Sequence, residues 1–232
     1  MSATPARPGL RPGRRPGFSL DDIAEAALAV GFRNLTMSSV ADRLGVKHSS
    51  LYRRVPSRDD LVIAAMDLAV QRADWPVPGK DWRAYLEETA HVIWGLLAAH
   101  PGMAGLIHDL PRTPPSVTRI FYATAHELTG MGFTPRDAVL VVDTLTDLAT
   151  DVYTGWERLV RERDTASGER TTGIDQMRES WSGEHAAPEA APFAAVLGAV
   201  IDGDPYDWFR SKLALFLDGA ATRLPRSGPG ED

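Results

Sequence analysis

From Ser19 onward, apolar residues return every three or four positions in one segment after another, while apolar–polar alternation and hairpin dipeptides are scarce. A spacing of three to four lines one face of an α-helix, so the chain reads as all-α. Start signals support this. "SLDD" (Ser19 to Asp22) and "SRDD" (Ser57 to Asp60) set a serine three residues ahead of an acid, the pattern that caps a helix N-terminus. "TPRD" (Thr134 to Asp137) and "DPYD" (Asp204 to Asp207) add proline at the first helical position, where its missing N–H is not needed. Gly31, Gly45 and Gly132 follow periodic runs and suit C-caps. Helices are predicted near 19–31, 38–45, 48–54, 57–74, 82–99, 102–109, 115–130, 135–163, 192–201 and 205–223.

The remaining segments carry too little apolar surface to offset the entropy of ordering. Residues 1–17 are rich in Pro, Gly and Arg and are expected to be a disordered basic arm, and 224–232 a disordered tail. Residues 164–191 mix small, polar and acidic residues around Met177 and Trp181 and read as a long flexible connection, partly helical at most.

Composition narrows the class without choosing a function. The chain has 232 residues, 44% hydrophobic and 24% charged, which is ordinary globular composition. No apolar run is long enough to cross a bilayer and no leader pattern opens the chain, so a cytoplasmic protein without membrane contact is expected. Zero cysteines exclude disulfides, thiolate metal sites and a cysteine nucleophile. Charge is lopsided. Residues 1–58 hold ten Lys/Arg against four acids, net +6; the whole chain is −6, so the rest carries −12. A basic head suited to a polyanion and an acidic body follow from that asymmetry.

Within the head, "TMSSVADRLGVKHSSLYRRV" (Thr36 to Val55) fits two short helices hinged at Gly45, with Ala41 small enough for a close crossing and Val46, Leu51 and Val55 as inward anchors. Leu51 and Val55 are i,i+4 on the inner face, which turns His48, Ser49, Tyr52 and Arg53 outward. Such a face suits the DNA major groove, where short polar residues let the helix sink in and arginine bonds guanine. Tyr52, Lys47, Arg58 and the helix N-termini are candidates for phosphate contact, with Ser38 and Ser39 approaching the backbone. The arm residues Arg7, Arg11, Arg14 and Arg15 suit either a minor groove or mere solubility.

These residues resemble the tetracycline-repressor (TetR) family of transcriptional regulators. The likeness runs over 19–66 and rests on the order A-x-x-L-G-V, then S-x-L-Y, then a basic pair and a second capped helix. It implies a three-helix helix-turn-helix domain over 18–65, base contacts from His48, Ser49 and Arg54, and phosphate contacts from Tyr52 and Arg58. Ser38 departs from the arginine of tetracycline repressors proper. A weaker likeness over 75–223 implies a larger helical ligand-binding and dimerisation domain over 66–223, with 135–163 and 205–223 forming a four-helix homodimer interface. A dimer would set two reading helices about 34–36 Å apart, matching a palindromic operator. The implied function is a repressor released by a small-molecule inducer, with no cofactor.

One body feature is not explained by packing. Asp143, Asp147 and Asp151 recur at i+4 beside a row of Thr146, Thr150 and Thr154. Three carboxylates on one stripe repel one another, so they belong to a solvated face or to a cavity for a cationic or polyhydroxylated ligand. Trp94, Phe121, Tyr122, Met131, Tyr153 and Trp156 are candidate cavity walls or plain core. His108 aligns with a metal-binding histidine of tetracycline repressors, but Ala73 and Gly155 replace that site's other groups, so no metal is expected. No phosphate loop, G-x-S-x-G or H-E-x-x-H occurs, which argues against an enzyme. The rival readings are an enzyme with an all-helical body and an interaction module whose basic patch meets an acidic protein.

Overall fold

The computed structural model describes residues 18–164, 170–181 and 188–225. The expected basic arm, most of the tail and two parts of the expected flexible connection lie outside the described residues. Among the described residues the chain forms α1 (Leu20–Val30), α2 (Met37–Leu44), α3 (His48–Tyr52), α4 (Arg58–Arg72), α5 (Trp82–Ala99), α6 (Pro115–Gly130), α7 (Pro135–Leu159), α8 (Gly173–Ser180), α9 (Ala191–Asp202) and α10 (Pro205–Ala221).

Local chemistry sets the boundaries. Ser19 and Asp22 form a reciprocal capping box that starts α1, Ser57 Oγ accepts from Asp60 N at the start of α4, and Thr134 Oγ1 accepts from Asp137 N at the start of α7. α2 is capped by Thr36, whose partner is the Ser39 hydroxyl, so Ser39 acts in the helix start rather than as a free surface group. α2 ends at Gly45, left-handed at φ 65°, ψ 32°, the conformation that lets the chain turn into α3. α6 starts with prolines that have no capping side chain; Asp67 on α4 accepts from Ser116 N at 2.6 Å in their place.

Three expectations are corrected. Residues 104–109 form a 3₁₀ turn, not an α-helix. The helix predicted over 135–163 stops at Leu159, and Glu162–Asp164 (β1) pairs antiparallel with Arg170–Thr172 (β2), Glu162 opposite Thr172. Part of the expected flexible connection is therefore ordered as β2 and α8, the latter closed by a Thr172–Asp175 capping box. The strands are three residues each, too short for alternation to show in the sequence.

α1, α2 and α3 pack with α4 into a head whose interior holds Ile23, Phe32, Leu35, Val40, Leu51 and Leu61, all fully buried. α4 also packs on α6, while α7 packs on α5, α6 and α10, so α4 belongs to head and body alike. Two further links join them. Glu157, a buried acid on α7, pairs with Arg33 of the head at 2.5 Å and accepts from Gly102 N at 2.8 Å. Arg112, in the loop before α6, pairs with Asp60 in the first turn of α4.

Candidate functional site

α3 is five residues long and has no side-chain N-cap, so packing must hold it. Leu51 is 0% exposed and Val55 is buried beside it, while Tyr52 is 47% exposed. Fixing Leu51 inward sends Lys47, His48, Ser49, Tyr52 and Arg53 outward, all exposed. Their arrangement is partly ordered from within. The His48 and Tyr52 rings meet edge to face at 4.8 Å, and Arg53 Nη2 donates to Ser50 Oγ at 3.2 Å. Ser38 is exposed at the start of α2. Arg54 lies over the Phe18 ring, 5.7 Å from its centroid, and Arg58 Nε donates to the Leu35 carbonyl at 3.0 Å, so these two also brace the head. The outer face of α3 is thus a short row of donors and acceptors on a rigid base, proportioned to a major groove.

Inside the body, α4 to α7 and the 104–114 segment enclose a cavity of about 310 Å³. Its walls are mainly aliphatic and aromatic, with the hydroxyls of Thr89, Thr124, Thr146 and Thr150 and the guanidinium of Arg112 as polar points. A few polar groups in an apolar chamber of this size are what small-molecule sites look like. Three of the hydroxyls are committed: Thr89 donates to Tyr85 O at 2.7 Å, Thr146 to Val142 O at 2.8 Å, and Thr150 to Thr146 O at 2.9 Å.

Of the residues expected to bind a ligand, only Phe121 is on the cavity wall. Trp94 stacks on Phe209 at 4.8 Å and meets Tyr153 edge to face at 5.1 Å, which makes it a bolt between α5, α7 and α10. Tyr122 is exposed, and Trp156 and Met131 are half-buried away from the cavity. Asp143, Asp147 and Asp151 point outward, because α7 spends its inner face on Val142, Leu145 and Ala149. Their repulsion still registers: burial, then Asp143 and Asp151, push the Asp147 carboxyl above its ordinary range. His108 is exposed and meets Asp151 at 3.1 Å on the same outer side. No three His, Asp or Glu side chains among the described residues are gathered to hold a metal. The polar row beside the acids marked the cavity instead, since Thr146 and Thr150 line it. Thr89 and Thr124 had no signal in the sequence, and Arg112 was legible there only as a cation that could pair with the acids of α7.

Residues 20–65 match the model of bacterial regulatory proteins of the tetR family, and residues 75–224 that of the tetracyclin repressor-like C-terminal domain. The chain belongs to the TetR family. This TetR-family protein is a DNA-binding transcriptional regulator. It is 29% identical over 240 residues to the HTH-type transcriptional repressor DrrR1 of Streptomyces coeruleorubidus, covering 95% of this chain and 86% of that one. A second relative, an HTH-type transcriptional regulator of Saccharopolyspora erythraea, is 32% identical over 119 residues, 47% of this chain and 49% of the other. Among solved structures, Streptomyces coelicolor ActR in complex with (S)-DNPA superposes with a TM-score of 0.74 at 21% identity, covering 90% of this chain and 99% of that one. Its complex with actinorhodin gives 0.73 at 21% identity, covering 93% and 100%. No helix among the described residues is long and apolar enough to cross a membrane.

Proposed function

We propose that this protein is a cytoplasmic homodimeric repressor that binds a palindromic operator and leaves it when a small molecule fills the body cavity. The observation carrying the reading is that α4 is shared: Met66 and Val70 form cavity wall while Arg58 and Leu61 of the same helix anchor the head. A ligand that moves α4 re-aims α3. His48 and Ser49 read base edges, Ser38, Lys47, Tyr52 and Arg58 hold phosphates, and Arg53 and Arg54 serve either once released from Ser50 and Phe18. The dimer is supported by the apolar residues that α7 and α10 leave uncovered in one protomer, Val139, Leu140, Trp208 and Leu215. Its function is binding, not catalysis.

The cavity suggests its ligand. Because Thr89, Thr146 and Thr150 donate their protons to helix carbonyls, they offer the chamber lone pairs. A mainly apolar molecule carrying hydroxyl donors fits that wall, with those N–H groups of Arg112 that Asp60 does not take available to an acceptor. ActR, which has a similar fold, was solved in complex with actinorhodin, which supports a small-molecule ligand for this protein. Coupling of about 1–3 kcal/mol between the sites would change operator affinity about 5- to 150-fold. Selecting genomic DNA on the purified protein tests the reading: inverted half-sites and a steep loss of affinity with salt are expected, and binding without sequence preference refutes it.

A further inference from the structure

A second concave site lies between head and body, apart from the apolar chamber. Arg33 and Arg58 from the head, Arg158 from the last turn of α7 and Arg161 just beyond it border one cleft of about 470 Å³. Glu157 neutralises Arg33, but among the described residues Arg58, Arg158 and Arg161 have no carboxylate within 4.0 Å. Four guanidinium groups and one acid, Glu157, around one hollow leave it net positive, a local well for an anion in a body that is acidic overall. The same cleft is lined by Thr154, which is 8% exposed and whose hydroxyl, buried in full, has no hydrogen-bond partner. A buried hydroxyl left unpaired costs desolvation free energy and gains nothing from the fold, unless something enters to meet it.

We infer that this cleft is a binding site for a small phosphate-type oxyanion, with Arg158 and Arg161 as its forked donors and Thr154 donating from the floor. Guanidinium pairs present parallel N–H groups that match phosphate oxygens, which favours phosphate over chloride. The volume exceeds that of phosphate alone, so a phosphorylated small molecule fits as well as the free ion. Since the cleft is bordered by both parts of the chain, its occupant lies between α7 and the head. The closing balance against this is that arginines near a helix C-terminus are favoured by the helix dipole with no ligand at all; that explanation leaves the orphan hydroxyl of Thr154 unaccounted for.

Calorimetric titration of the full chain with inorganic phosphate, and separately with glycerol phosphate, at fixed ionic strength tests the site. Saturable binding, one anion per chain, is expected, with chloride giving none. Replacing both arginines (Arg158→Ala with Arg161→Ala) should weaken binding by at least about tenfold, since a charged hydrogen bond is being lost at each. Thr154→Val keeps the side-chain shape and should weaken binding severalfold; equal binding by this variant would show the hydroxyl to be packing and would overturn its assigned role. Tighter binding of glycerol phosphate than of phosphate identifies a phosphoester as the occupant, and the reverse identifies the free ion. Absent saturation, or affinity unchanged in the arginine variant, means an adventitious ion only and sinks the proposal. So does an arginine variant that binds phosphate normally but loses duplex DNA, because the cleft would then belong to the DNA interface. No operator is needed, so failure here leaves the repressor reading standing.

Discussion

Adjacent residues of α3 should respond in opposite ways to the same truncation. Leu51→Ala removes a side chain that is fully buried in the head, and such losses cost about 2–5 kcal/mol, the range reflecting how far the cavity collapses. Collapse is restricted here, because the core that Leu51 belongs to also holds Val40, Leu35 and Leu61, themselves fully buried and drawn from three different segments. The upper half of the range is therefore expected, a large part of the stability of a small domain. Tyr52→Ala instead removes a half-exposed ring whose main contact is the His48 edge at 4.8 Å, worth about 0.5–1.5 kcal/mol at most. Thermal unfolding separates them: Leu51→Ala should lower the midpoint by several degrees or more and abolish operator binding, while Tyr52→Ala should melt nearly as the parent. In a fluorescence anisotropy titration Tyr52→Ala should bind at least about tenfold more weakly, the loss of one hydrogen bond to a charged phosphate. An unfolded Tyr52→Ala, or a Leu51→Ala protein with parental melting and DNA binding, would refute the packing argument for the reader.

Asp147→Asn should leave the ligand response intact and raise stability at neutral pH by about 0.4–1 kcal/mol, since two i,i+4 repulsions end. The Asp147 carboxyl titrates above its unfolded value, so its charged form opposes folding; the parent recovers this stability as pH falls through that raised value, and the difference between the two melting curves should close there. Val117→Phe, placed in the chamber wall, should keep operator binding but abolish release by a ligand that releases the parent, read by anisotropy with and without ligand. Gly102→Ala should destabilise by more than the roughly 1–2 kcal/mol of a left-handed alanine, because Gly102 has φ +89° and a Cβ there would lie 2.8 Å from Arg33 Cγ and 3.2 Å from Arg33 N. Denaturant unfolding measures it, and an unchanged midpoint would show that Arg33 shifts freely.

What could be read from the sequence was local. The Ser19–Asp22 and Thr134–Asp137 pairs announce helix starts because the cap is complete within four residues, and the Leu51–Val55 spacing points Tyr52 outward because one turn of helix leaves no alternative. The cavity was different. Its wall takes Thr89 from α5, Thr124 from α6 and Thr150 from α7, and no spacing along the chain brings these together. Trp94 misled for a related reason: an aromatic at helical spacing serves a pocket or a seam equally well, and only the position of Phe209, 115 residues away in sequence, decides for the seam. The acids of α7 were correctly seen as mutually repelling, but their direction depended on which face α5 and α6 had taken.

The double employment of α4 has a consequence for how such a protein can diverge. Under the proposed mechanism, a substitution at Met66 or Val70 changes the shape of the chamber and, through α4, the aim of the head, so drift at those positions is penalised twice. Ile93, Ile120 and Thr124 border the chamber from α5 and α6, helices that carry no residue of the head. New chemical tastes should therefore be acquired on the far walls, while the near wall stays conservative: a division of labour that a library randomised on each side in turn would make visible.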